Sequence, residues 1–536
     1  MRTRYSALNA LCGVLGQILI ALIGFWSRKV FLSTLGLSVQ GIYTALTSVI
    51  TMLSLTELGI GTAIHCNLYR PLADGDESRV CALMHLYGKV YRIIAAVILM
   101  VGLCLLPFLP KLLGADYSAV LPPSVFSFVN RLPQAAGVAV VYLVLLCNTA
   151  ASYLLAYKRS VIVADQRNYL ISIVHTVLYG ASAVLQILLL YRTKDFLLYL
   201  LVRLCADVLE NGLLALLANR RYPYIRRRPT EKLDKATGQS IFANTRALAL
   251  HYVGNYAIDS IDVLIITHVL GPLITGIYAN YQLLTRTVKT VFDQFSTSFT
   301  ASFGNLIAKE DEQHAYLAFC KALFATFCLA SVATNLLFCL LQPFISGLWL
   351  ATLAQTEQVL LPLPTVAVLC LNFFLTCLAE TLGSIRAAAG LFRPDRYWHL
   401  AMAALNLGIS LLLVHWVGLI GVFLGTTVCK VLKELVILPD IVYKRIFHLP
   451  PAKYRLRVGG YLGFTVFVCA GSYYLCQQIS FAAILPTLIL RALVCVAVSC
   501  AGILLCFGRT KEFAALINLG KALCTRCFGK GAVRHE

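Results

Sequence analysis

Charge is scarce in this chain. Asp, Glu, Lys and Arg make up 13% of its 536 residues, about half the share of an ordinary soluble domain. That scarcity excludes a disordered chain, whose composition is polar and charged. No Gly-x-x-x-x-Gly-Lys loop is present, so the chain is not expected to hydrolyse ATP itself. No Cys-x-x-Cys pair has a second pair at zinc spacing, and Cys524 and Cys527 have only a basic tail around them. Most of the 19 cysteines, Cys104, Cys147, Cys339, Cys370, Cys469 and Cys500 among them, fall in apolar runs, where a thiol packs as a small hydrophobe. Neither a metal site nor a cofactor is expected. Apart from 107–133, no loop on the outer side is long enough to carry a soluble-type active site, so an enzyme is not expected either.

What the chain has instead is apolar length. Hydrophobic residues are 59% and mean hydropathy is +0.79. Runs of the length a helix needs to cross about 30 Å of hydrocarbon recur at 10–27, 41–64, 93–113, 134–157, 169–191, 196–218, 247–270, 273–300, 317–341, 359–382, 398–416, 419–442, 459–478 and 484–507. Backbone groups in lipid must be satisfied within the segment, so these fourteen runs are expected to be helices. The first has no small-residue cleavage site before Arg28 and is read as a transmembrane helix rather than a leader.

The net charge of +21 follows from topology. With both termini cytoplasmic, the outer loops hold only Arg28, Lys29, Lys111, Arg131, Arg192 and Lys194, and the spans hold Arg203, Arg286, Lys289 and Arg491. All other Lys and Arg fall on the cytoplasmic side, as the positive-inside rule requires. Nucleic-acid binding is not needed to explain the charge.

An internal echo organises the chain. "LGLSVQGIY" (35–43) and "LGPLITGIY" (270–278) match at Leu-Gly and Gly-Ile-Tyr with a fixed offset of 235 residues, each between the first two spans of a half. Six spans separate the copies, an even number, so the halves have the same orientation and form parallel repeats. The expected fold is an all-α polytopic membrane protein of about 14 transmembrane helices. Its parts are a six-helix bundle (1–218), a basic cytoplasmic linker (219–240), a second six-helix bundle (241–443), an appended helix pair (444–508) and a basic amphipathic tail (509–536).

One span carries an anomaly. "YQLLTRTVKTVFDQFSTSF" (281–299) has no Pro or Gly, yet Arg286, Lys289 and Asp293 share a face at spacings of three and four. Tyr278, Gln282, Thr285, Thr297 and Thr300 extend that face into a polar stripe. A charge at mid-bilayer costs about 2.5–3.5 kcal/mol, so two readings stand. Asp293 pairs with Lys289 one turn away while Arg286 meets Asp259 or Asp262, or the stripe forms the cationic wall of a hydrated cleft that takes an anion. Span seven adds His251, Tyr252, Asn255, Asp259 and Asp262 on one face, and span two adds Tyr43, Thr47, Ser48, Thr51, Ser54 and Glu57. Span ten adds Asn372, Thr376 and Glu380. Arg203, Asp207 and Glu210 are spaced for pairing within span six, and Arg491 in span fourteen has no evident role.

The chain resembles a polysaccharide flippase of the multidrug/oligosaccharidyl-lipid/polysaccharide exporter (MOP) superfamily, most of all the bacterial O-antigen and capsule group. The likeness covers essentially the whole chain. It rests on the six-plus-six plan, on "GIYTALTSVITMLSLTELGIGTAI" followed by "LYRPLADGD", on "YLLAYKRSVIVADQRNY", and on "NYAIDSIDVLIITHVLG" leading to "GIYANYQLL". The resemblance implies two bundles that alternate between inward-open and outward-open states in a bacterial plasma membrane. It also implies a cargo of oligosaccharide on a polyprenyl diphosphate, with membrane lipid and other polysaccharide-assembly proteins as partners. A diphosphate suits Arg forks and Lys point charges. Arg286, Lys289, Gln282, Tyr281, Asn255, Arg28, Lys29 and Asn372 are then the candidate cargo ligands. Asp259, Asp262, Asp293, Glu57 and Glu380 are candidates for proton or sodium coupling, or for charge balance. A multidrug-type exporter and a membrane-embedded glycan polymerase are the alternatives; the first turns on whether the carboxylates are spent in ion pairs.

Overall fold

The computed structural model describes residues 2–54, 60–114, 134–227, 258, 260–309, 312–352, 359–389, 391 and 397–518. Among the described residues every regular element is helical. Helix α1 (Arg2–Ser54) covers the first two spans and is broken at Gly36. It is followed by α2 (Ile60–Ala73), α3 (Glu77–Leu105), α4 (Leu109–Leu113), α5 (Gln134–Ala156), α6 (Arg159–Ala164), α7 (Asn168–Thr193) and α8 (Phe196–Arg221). The second half contains α9 (Pro272–Lys309), α10 (Glu312–Phe344), α11 (Leu363–Ala388), α12 (Trp398–Val417), α13 (Leu419–Val431), α14 (Leu438–Arg445), α15 (Ala452–Gln477) and α16 (Ile484–Phe507). Of the seventh span, the described part is the apolar helix Ser260–Leu270.

These helices coincide with the expected spans, and the chain is an all-α polytopic membrane protein. Two details differ from expectation. Helix α1 continues unbroken to Leu35, so Arg28 and Lys29 lie two turns inside it rather than in an outer loop. The third span begins at Glu77, where Asp76 accepts the Arg79 backbone N–H at 2.9 Å as an N-cap. The outer loop from 115, the linker from 228 and the tail from 519 lie outside the described residues, as do Glu57, His251, Tyr252, Asn255 and Asp259.

The chain divides into two compact units. Unit 1 comprises Met1–Ala279, Trp349–Val359 and His399–Val422. Within it α1 runs along α7, and α3, α5, α8 and α7 pack in succession. The segment "YLLAYKRSVIVADQRNY" (153–169) anchors this unit. Arg159 donates to Glu210 at 2.6 Å, and Glu210 also meets His175 at 2.9 Å, so Glu210 pairs outside its own helix. Asn9 donates to the Gln166 carbonyl and accepts from the Tyr169 N–H, tying α1 to the start of α7. Tyr222, just past α8, donates to Asp165 at 2.5 Å. Burial, and then that carboxylate, push the Tyr222 hydroxyl above its ordinary range.

Unit 2 comprises Asn280–Leu348, Leu360–Trp398 and Phe423–Glu536. Here α10 is the central helix, packed by α11, α15 and α16. Its aromatic face joins them: Phe327 stacks on Tyr461 with centroids 3.9 Å apart, and both meet Phe507. Arg491 of α16 gives two hydrogen bonds to the Ile479 carbonyl in the turn between α15 and α16, which accounts for the charge in that apolar span.

The repeated segment is visible in the backbone of unit 1. Gly36 and Gly271, which correspond under the 235-residue offset, share one conformation: φ 82°, ψ 174° and φ 89°, ψ 168°. Positive φ with extended ψ is essentially restricted to glycine. Five residues on, Gly41 and Gly276 also correspond. A Cβ on Gly41 would strike the carbonyl oxygen of Pro272, and one on Gly276 would strike that of Leu37. Residues 37 and 272 are themselves a corresponding pair, so the contact is reciprocal. It is a backbone-to-backbone crossing that only bare glycines permit.

Candidate site: a buried charge network in unit 2

The expected cation Lys289 lies on α9 with Asp293 one turn later. Its Nζ donates to Asp293 and, at 2.9 Å, to Oε1 of Glu380 on α11. The ammonium is 20% exposed while Asp293 and Glu380 are 50% and 38% exposed, so the pairing is sunk at its cationic end. Two carboxylates around one ammonium leave a net negative trio. The pairing account raised by the sequence therefore holds for Lys289. Arg286, one turn before it, is exposed.

The trio does not stand alone. Helix α13 passes through a π-helical segment, Leu432–Ile437, into α14, an irregularity often found at functional sites. Around it lie Lys430, Lys433 and Glu434. Lys430 donates to Thr376 on α11 at 2.7 Å, and Thr376 donates to the Asn372 carbonyl at 2.7 Å. Glu434 is buried, and among the described residues its Oε2 accepts no hydrogen bond. Lys430, Lys433, Glu380 and Lys289 are all within electrostatic reach of Glu434, and Arg386 is within reach of Lys433. Arg386 is itself buried on α11. Counted at formal charge, the group holds four basic side chains and three carboxyls, one basic group in surplus. Such a group of charges in apolar helices is costly unless its members meet each other, water or a ligand.

Other expected residues fall elsewhere. Tyr281 is completely buried, and its hydroxyl accepts the Leu361 N–H at 3.2 Å, so it packs and anchors a loop. Asn372 is buried and donates to the Phe423 carbonyl at 3.3 Å, and its Oδ1 has no hydrogen bond among the described residues. Gln282 is half-buried on α9. In unit 1, Asp262 is buried and accepts Asn406 Nδ2 at 3.0 Å, and Ser410 donates to Asn406 Oδ1. Lys29 is half-buried. Arg28 has a buried Nη1 that makes no hydrogen bond among the described residues, and both Arg28 and Arg203 lie within electrostatic reach of Tyr43. Arg203 pairs with Asp207 at 3.1 Å, as its spacing predicts, and sits 5.2 Å from the Tyr179 ring centroid. Lys430, Lys433, Glu434 and Arg386 were not expected at a site. "KVLKE" (430–434) closes an apolar run and reads as a cytoplasmic rim, although its i, i+3, i+4 spacing does place the three charges on one face.

No protein-family model matches the chain, and no curated protein matches it in sequence. Solved structures do. Lipid II flippase MurJ, in an inward closed conformation, superposes with a TM-score of 0.63 at 11% identity, over 93% of this chain and 98% of that one. An inward-facing multidrug resistance MATE transporter of the MOP superfamily gives 0.59 at 14% identity, over 83% and 96%. A MOP superfamily transporter from Pyrococcus furiosus gives 0.51 at 13% identity, over 81% and 94%. All three are matched nearly end to end, and the chain has the fold these membrane transporters share.

Proposed function

We propose that the protein is a MOP-type flippase. Its cargo is an oligosaccharide on a polyprenyl diphosphate, moved from the inner to the outer leaflet of a bacterial plasma membrane by alternating access, with both termini cytoplasmic. The carrying observation is the unit 2 network, in which lysines and an arginine outnumber the carboxylates inside a bundle of apolar helices. The overlap with a lipid II flippase supports the cargo class.

In this reading Lys289 is held in reserve by Asp293 and Glu380. A diphosphate competes for it with the help of Arg286, while Lys430 and Lys433 supply the surplus charge. As the lysines turn to phosphate, the carboxylates they leave, and the buried Glu434, become the groups that take up protons or sodium. Binding of cargo and uptake of a cation are thereby linked. Because Asp293 and Glu380 are already engaged, an organic-cation cargo is less favoured.

The test is Arg286→Ala with Lys289→Ala in cells, with expression and monodispersity confirmed. Lipid-linked glycan should accumulate on the inner leaflet and surface polysaccharide should fall. Normal export in that variant would remove these cations from the cargo site. Loss of organic-cation efflux with intact glycan export would replace the reading by the multidrug one.

A further inference from the structure

Three cysteines that no spacing motif connects meet inside unit 2. Cys339 near the end of α10, Cys476 near the end of α15 and Cys495 on α16 have all their Sγ atoms within 4.8 Å of one another, and all three are buried. The Cys476 and Cys495 sulfurs are 3.7 Å apart. Three thiolates around a zinc-sized ion, with metal–sulfur bonds of about 2.3 Å, have sulfurs about 3.8 Å apart in a tetrahedral site and about 4.0 Å in a trigonal one. One edge of such a triangle is therefore already formed, and the other two are no longer than 4.8 Å.

The surroundings are built to hold these groups. The Nδ2 of Asn335 on α10 has three acceptors within reach that its two N–H groups share: Ser472 Oγ at 2.8 Å, the Cys495 carbonyl at 3.1 Å and Ser499 Oγ at 2.9 Å. Its Oδ1 accepts the Cys339 thiol at 3.6 Å. One amide thus locks all three cysteine-bearing helices together and fixes where Cys339 points. Cys339 and Cys476 also line a cavity of about 290 Å³ whose wall includes Gln342, Gln477 and Arg491. The cavity gives an entry path and room for water. Arg491 gives one positive charge, which balances a divalent ion on three thiolates, net minus one.

We infer that Cys339, Cys476 and Cys495 form a binding site for a soft d10 metal ion of the Cu(I) or Zn(II) class. Thiolate ligands select these ions. Binding releases the thiol protons through the cavity. A divalent ion completes its shell with cavity water, and a monovalent one is satisfied by sulfur alone.

The experiment uses the full chain, purified in detergent under reducing conditions, titrated with Cu(I) and separately with Zn²⁺ against a coloured chelator. One equivalent should bind, and metal-edge absorption spectroscopy of the loaded wild-type protein should show about three sulfurs at about 2.3 Å. Cys339→Ser, Cys476→Ser and Cys495→Ser should each weaken binding at least tenfold. Cys524→Ser with Cys527→Ser, and Cys104→Ser with Cys147→Ser, should leave it unchanged. A first shell of oxygen and nitrogen only would overturn the site, and so would binding that survives in the three single variants. If the serine variants fail to fold, the wild-type spectrum still decides. A Cys476–Cys495 disulfide as the dominant form in protein purified without reductant, with no metal taken up after reduction, would also overturn it.

Discussion

The helix that follows Gly36 and the helix that follows Gly271 begin alike and diverge in chemistry. Under the 235-residue offset Thr51 corresponds to Arg286, Ser54 to Lys289 and Leu58 to Asp293. In the first copy Thr51 returns its hydroxyl to the Thr47 carbonyl at 2.8 Å, and Ser54 returns its own to Ile50 at 2.9 Å. Each hydroxyl is satisfied by its own helix and asks nothing of a neighbour. In the second copy Lys289 needs one carboxylate from its own helix and another from α11. A hydroxyl stripe can therefore face water, lipid or protein at little cost, whereas a charged stripe commits neighbouring helices to supply partners. Earlier in the two copies, buried Ser27 corresponds to buried Asp262; the serine meets Tyr199 of α8, and the aspartate accepts from an asparagine of another span.

The comparison can be broken first where the copies are alike. Gly41→Val or Gly276→Val places a side chain against a backbone carbonyl that cannot move aside. Either should abolish recovery of monodisperse protein on size exclusion, because the overpacking cost of about 1–3 kcal/mol in an ordinary core is exceeded when the obstacle is main chain. Next comes Lys289→Ala, which leaves Asp293 and Glu380 facing each other. A fully buried pair broken this way loses about 3–5 kcal/mol. The partial exposure of both carboxylates should hold the loss to about 2 kcal/mol, read as a lower Tm, with recovery when Glu380→Gln is added. Asn406→Leu removes one donor from buried Asp262 and should cost about 1–2 kcal/mol, again as a fall in Tm. The sharpening control is Thr51→Val with Ser54→Ala. Because those hydroxyls, among the described residues, bond only their own helix, Tm should change by no more than about 0.5 kcal/mol would produce.

Helix placement was legible in the sequence because lipid imposes length and internal hydrogen bonding on every span. The repeat was legible because glycine carries a backbone requirement that no other residue meets, at Gly36 and Gly271 above all. Part of the site was legible too: the i, i+4 spacing of Lys289 and Asp293 gives their pairing directly. Glu380 as the second partner was not, since it lies 91 residues away on another helix. Lys430, Lys433 and Glu434 were hidden for a different reason. At the end of an apolar run a charge reads as a rim residue in water, and only packing shows that Glu434 is buried. The cysteine triad was out of reach for the same reason in stronger form. Its members lie on three helices, and a thiol in an apolar run looks like any small hydrophobe.

The Gly41–Gly276 crossing also bears on how such a chain can arise. Each glycine meets the carbonyl that the other's segment supplies, so the contact is isologous, the kind two identical subunits make across a twofold axis. A half-length polypeptide with a single Leu-Gly to Gly-Ile-Tyr segment would need only one glycine to make both sides of it, by pairing with a copy of itself. Fusion of two such copies would preserve the crossing while releasing every other position from symmetry. Thr51 and Arg286 could then part ways, and one half could acquire charge that a symmetric pair would have been forced to carry twice.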